Sequence, residues 1–183
     1  MAVLGLGFAH AKTPIAPSVW VFFFSGFVVL PLISLALFIK LGKVSDTFVF
    51  KREQRHGLYV LGIIFSATAA FFIFRENALA AMIWSICNTA VLTFLYILNY
   101  TGCKVSAHMA GAAGLLGWIL CINATESAII SAILLIVMIY AARKGLSAHS
   151  HFELILGFCL GLFVTFALAC LLLTYYGISC SFI

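Results

Sequence analysis

The residues able to do chemistry fall in three short stretches: Lys51-Arg52-Glu53-Gln54-Arg55-His56, Lys104-Val105-Ser106-Ala107-His108, and Arg143 through Glu153. The third carries the most information. It reads R-K-G-L-S-A-H-S-H-F-E, and Glu153, Gly157 and Gly161 follow His149 at four-residue steps. On a helix such steps share one face, so the spacing predicts Glu153 one turn from His149. A carboxylate there fixes the tautomer of the imidazole and aims it, which prepares a histidine to act as nucleophile. His108 supplies a second imidazole, and Arg143, Arg55 and Lys51 supply cations. Guanidinium groups match phosphate oxygens in bidentate geometry. Ser106 is placed to cap a helix beginning at Ala107, and the first amides of a helix make an anion site. This inventory describes phosphoryl transfer through a histidine, with charge stabilised by hydrogen-bond donors. The five acids are scattered along the chain. No carboxylate set is therefore expected to hold magnesium or zinc, and neither a metal nor a cofactor is expected.

These groups are carried by a very apolar chain. Its 183 residues are 65% hydrophobic and 8% charged, with a mean hydropathy of +1.23. Soluble domains are about a quarter charged. Six apolar segments approach the roughly 20 residues that span a bilayer, at about 17–40, 57–75, 77–100, 105–123, 126–142 and 152–178. The reading is an all-α integral membrane protein, a six-transmembrane-helix bundle forming one domain over 17–183. Residues 1–16 read as a lead-in, because they lack the charged start and apolar core of a signal peptide.

Six spans put the loops 41–56, 101–104 and 143–151 on one membrane face and the turns 75–77 and 123–126 on the other. Of ten Lys and Arg, all but Lys12 and Arg75 then share the first face, together with His56, His108, His149 and His151. The net charge of +5 thus dresses helix mouths and not a soluble surface, so no nucleic-acid partner is expected. If the loop cations bind phosphate, the positive-inside rule does not fix which membrane side they face. His151 and His56 read as interfacial. Small residues at Ala107, Ala110, Gly111, Gly114 and Gly117, and at Gly157 and Gly161, predict closely packed helices. Such packing would bring the mouths at Ser106 and His149 together. Cys87, Cys121, Cys159 and Cys170 fall in apolar spans and read as small hydrophobes. Neither a disulfide nor a metal cluster is expected of the six cysteines, which form no CxxC pair.

Arg143, five residues, His149, three residues, Glu153, then Gly157 and Gly161, resembles the third signature of the type-2 phosphatidic acid phosphatases, Ser-Arg, five residues, His, three residues, Asp. Val105-Ser106-Ala107-His108 resembles their second signature, Pro-Ser-Gly-His. The stretch from Gly42 to Tyr59 resembles the basic segment bearing the first signature in short bacterial members of the Bacteroidetes type. Val105, Ala107 and Ala142 stand where the family has proline, glycine and serine, Glu153 replaces aspartate, and no proline follows Arg55. The resemblance implies the helical core shared with vanadium haloperoxidases and a multi-pass place in a bacterial inner membrane. It also implies hydrolysis of a membrane lipid phosphomonoester or diphosphate. In that chemistry His149, held by Glu153, forms a phosphohistidine and His108 is the general acid and base. Arg143, Arg55, Lys51, Ser106 and the Ala107 amide hold the phosphate, without metal. The partners implied are the lipid phosphate and the bilayer; which lipid, and the oligomeric state, stay open. Two other readings fit the same residues: a relative that binds lipid phosphate without hydrolysing it, and a small proton-coupled transporter using the membrane-edge His and Glu.

Overall fold

The apolar segments form helices in the computed structural model, which describes residues 16–47, 49, 51–178 and 180. The lead-in expected over 1–16 lies, Ala16 apart, outside the described residues. The helices are α1 (Pro17–Lys40), α2 (His56–Arg75), α3 (Leu79–Tyr100), α4 (Ala107–Cys121), α5 (Glu126–Gly145) and α6 (His151–Tyr175). A 3₁₀ turn, Arg52–Arg55, leads into α2. Five of these helical runs are long and apolar enough to cross a membrane, which makes this an all-helical, multi-pass membrane protein. The fourth expected span is different. Residues 103–106 approach α4 without helix, Ser106 caps it at φ −82°, and Asn123 at φ 50° follows its end. The 15 residues that remain reach about 22 Å, short of a hydrocarbon core of about 30 Å.

Helix ends share one device. Gly42, Asn77, Gly102, Asn123, Ser147 and Gly177 each follow a helix with positive φ, the left-handed conformation that lets the next amides bond back to the last turn. Glycine adopts it freely and asparagine at small cost, whereas Ser147, at φ 50°, is held there by its surroundings. The Ser147 amide donates to the Lys144 carbonyl at 2.9 Å and the Ala148 amide to the Arg143 carbonyl at 3.1 Å. The chain thereby reverses between Arg143 and His149 within a few residues.

Two compact units divide the described chain, residues 16–104 and 105–180. In the first, α1 and α3 both pack on α2. Pro31 has no amide hydrogen for the helix ladder, and α1 loosens to a π turn over Ser25–Val29 just before it. Thr89 of α3 donates to the Ser66 hydroxyl of α2 at 2.9 Å, a polar bond between apolar helices. Asn99 at the end of α3 donates to the Arg52 carbonyl at 3.2 Å. The basic run and the turn after α3 therefore lie at one end of this unit, as their membrane sidedness required.

In the second unit α4 and α6 run parallel, with α5 returning the chain between them. Pairings along the two helices fix the direction: Ser106 lies by Glu153 and Gly157, Ala110 by Gly161, and Cys121 by Cys170. The approach is close enough to demand glycine. A Cβ on Gly157 would sit 2.6 Å from the Ser106 carbonyl oxygen, and one on Gly161 only 2.0 Å from that of Ala110. Leu116 and Ile119 of α4 bury against Ala128 and Ala132 of α5. The expectation that no cysteines pair is corrected here. Cys170 and Cys180 form a disulfide, because Gly177, at φ 73°, turns the chain back after α6. Spacing along a sequence does not reveal such a reversal.

Candidate functional site

Glu153 meets His149, though not by the helical stacking the spacing predicts. α6 starts at His151, and Ser150 is its N-cap, so His149 precedes the helix. The Ser150 hydroxyl accepts from the Glu153 amide at 3.2 Å, and the Ser150 amide donates to Glu153 Oε2 at 3.3 Å. This reciprocal capping box turns the carboxylate back past the helix start. There Oε2 also accepts from His149 Nδ1 at 2.7 Å. An ionised carboxylate only accepts, so Nδ1 carries a proton. The His149 side chain is 4% exposed and that of Glu153 20%. The imidazole is thus held in a largely dry setting, where its geometry and the charge on Glu153 are most effective.

The second imidazole stands at the start of α4. His108 is exposed and is the second residue of that helix. Arg143, buried in the last turn of α5, directs Nη2 at both ring nitrogens of His108, lying 2.6 Å from Nε2. A guanidinium only donates and an imidazole has at most one acceptor nitrogen, so Nη2 can hydrogen-bond one of the two at a time. Ser106 is the N-cap of α4, as its position in sequence predicts, and its hydroxyl accepts from the Met109 amide at 3.4 Å. Its own amide donates to the Glu153 carbonyl at 3.2 Å, and Ala107 opens the helix. Within residues 105–180 two sets of contacts therefore meet at the start of α4, Arg143 with His108 and Ser106 with Glu153, which in turn holds His149. Loops far apart in sequence meet because α4 and α6 run parallel at glycine-limited separation.

Arg55 and Lys51 belong to the unit 16–104. Arg55 is buried, with Nε donating to the Val49 carbonyl at 2.8 Å, and Lys51 is exposed just before the 3₁₀ turn. His56, expected to be interfacial, meets Asn99 Nδ2 at 3.4 Å and lies edge-on to Tyr96 and Tyr100. Asn99 is the penultimate residue of α3. It is 2% exposed, and among the described residues its Oδ1 is a buried acceptor without a hydrogen-bond partner. His151, also expected at the interface, is exposed and bonds the Tyr140 hydroxyl. Ser150 was missed in the sequence. Its signal was present: Ser150-His151-Phe152-Glu153 is the S-x-x-E pattern that opens a helix.

Chemically, the arrangement offers one imidazole oriented by a carboxylate, a second imidazole paired with a guanidinium, and the positive start of a helix. Such a set is suited to an anion that can be attacked. Comparison of the chain with models of known protein families, with curated proteins and with solved structures finds no match.

Proposed function

We propose that the protein is an integral membrane lipid phosphatase or diphosphatase that works through a phosphohistidine without a metal ion, in a six-helix bundle like that of the type-2 phosphatidic acid phosphatases. One observation carries this reading: Glu153 holds His149 by Nδ1 at 2.7 Å, and the proposed reaction uses the neutral imidazole with Nε2 as nucleophile. In the proposed reaction Nε2 forms a bond to phosphorus as the bond from phosphorus to the lipid oxygen breaks. His108, protonated in the substrate complex, gives its proton to that oxygen. Neutral His108 then takes a proton from water as the water oxygen attacks the phosphohistidine, releasing orthophosphate and restoring His149. Arg143 and the Ala107 amide hold the phosphoryl oxygens. Arg143 occupies His108 in the free protein, and an incoming phosphate, as a stronger acceptor, draws the guanidinium onto itself. Ser106, the N-cap of α4, belongs to the same phosphate-binding set in the family pattern. The lipid tail stays in the bilayer, and the protein resides in a bacterial inner membrane.

The test is orthophosphate release from a panel of lipid phosphates by the purified protein in detergent, with EDTA present. Vanadate, which mimics five-coordinate phosphorus, inhibits it. Absence of release from every lipid would refute the enzyme reading.

The two jobs of Glu153 separate by substitution. Glu153→Gln keeps a side chain able to complete the capping box but removes the charge that orients His149. Turnover falls on the order of a hundredfold or more, with little change in thermal stability. Ser150→Ala does the opposite: the cap is lost at about 1 kcal/mol, and turnover per folded molecule is kept. Equal losses of stability and activity in both variants would show Glu153 to be a cap and nothing more.

A further inference from the structure

Three cysteines outside the proposed chemistry meet at the far end of the α4–α6 pair. Cys121 is the last residue of α4, Cys170 lies in the closing turns of α6, and Cys180 follows that helix. Gly177 returns the chain: its amide donates to the Thr174 carbonyl at 3.0 Å, and that of Ile178 to the Leu173 carbonyl at 2.9 Å. Cys121 Sγ then lies 3.0 Å from Cys170 Sγ and 3.2 Å from Cys180 Sγ, the last two being bonded to each other. All three are buried, at 0%, 6% and 3% exposure in that order.

We propose that, once the Cys170–Cys180 bond is reduced, the three thiols form a binding site for one soft cation coordinated by three sulfurs, with Cu(I) as the ion that fits. With metal–sulfur bonds of about 2.3 Å, three ligands around one ion stand about 4 Å apart. The sulfurs here all lie within 4.8 Å of one another, so small side-chain rotations open the group to that spacing. Thiolates select soft ions, Cu(I) and zinc among them. A closed zinc site needs four protein ligands, and among the described residues no further His, Asp or Glu joins the three cysteines. Three sulfurs alone satisfy Cu(I). In the reduction a dithiol passes two electrons and two protons to the Cys170–Cys180 bond and itself becomes a disulfide. Each thiol that then ligates the ion gives its proton to solvent. Cys170 is 17 residues beyond Glu153, about 25 Å along α6. The site is therefore separate from the proposed phosphatase chemistry and does not depend on it.

The test uses the full chain in detergent, reduced with dithiothreitol, desalted without oxygen and titrated with Cu(I) against bathocuproine disulfonate. The wild type withholds one Cu(I) per chain. Cys121→Ser, Cys170→Ser and Cys180→Ser each weaken that binding by more than the roughly tenfold to hundredfold that loss of a supporting partner costs. Cys87→Ser and Cys159→Ser leave it unchanged. Copper X-ray absorption on the loaded wild type, which needs no variant, finds three sulfur scatterers. The proposal is overturned if a variant lacking all three cysteines withholds as much Cu(I) as the wild type. Nitrogen or oxygen replacing sulfur around the ion, or zinc bound in preference under the same competition, also overturns it.

Discussion

Replacing His149 with alanine lowers lipid-phosphate hydrolysis on the order of ten-thousandfold or more, about 5 kcal/mol in the activation barrier, and leaves the protein folded. The size of the loss follows from the role. Without Nε2 no covalent intermediate forms. The preserved fold follows from the position. His149 precedes α6, and the helix start is secured by Ser150 and Glu153, whose reciprocal bonds do not use the imidazole. His108→Ala costs less, about a hundredfold to ten-thousandfold, because water replaces a general acid poorly but does replace it. Phosphate-release rates and thermal unfolding measured on the same preparations check both variants. A His149→Ala protein with normal turnover and a lowered melting temperature would show the histidine to be structural.

Gly161→Ala separates α4 from α6 and destabilises the protein by about 3 kcal/mol, the upper end for overpacking. The added carbon would stand 2.0 Å from the Ala110 carbonyl oxygen and 2.8 Å from its Cα. Both are backbone atoms, so no rotamer change relieves the contact and a whole helix must move. Because the site is built where these helices begin, turnover falls with stability. Gly111→Ala on the same α4 is the control. Nothing lies within 4 Å of a Cβ there, and alanine is the better helix former by about 1 kcal/mol. It leaves stability equal or higher. Thermal unfolding in detergent checks the pair, and equal effects of the two substitutions would contradict the close parallel packing.

Much of this was readable from the residues because the physics involved is local or compositional. Apolar runs of bilayer length mark helices, since such a segment must satisfy its backbone internally. Ser106 as N-cap and the small residues of α4 and α6 follow from capping and close packing. The His149–Glu153 contact was foreseen for a partly wrong reason. Four-residue spacing suggested a helical face, whereas the capping box makes the contact from outside the helix. α4 is shorter than its apolar stretch because hydropathy does not register that Lys104, Val105 and Ser106 form a non-helical approach. The cysteine cluster was hidden for another reason. Cys121, Cys170 and Cys180 become neighbours only through a parallel helix pair and a chain reversal at Gly177. Neither leaves a short-range pattern.

The central claim is that His149 carries phosphate during turnover. Rapid quenching of the protein with a lipid phosphate, followed by digestion and mass spectrometry under alkaline conditions, addresses it directly. The account predicts an acid-labile, alkali-stable phosphate on the peptide containing His149, absent from His149→Ala and accumulating in His108→Ala, where the water step is slowed. A phosphate on any other residue, or turnover with no phosphorylated protein and oxygen from labelled water entering phosphate in one direct displacement, would contradict it.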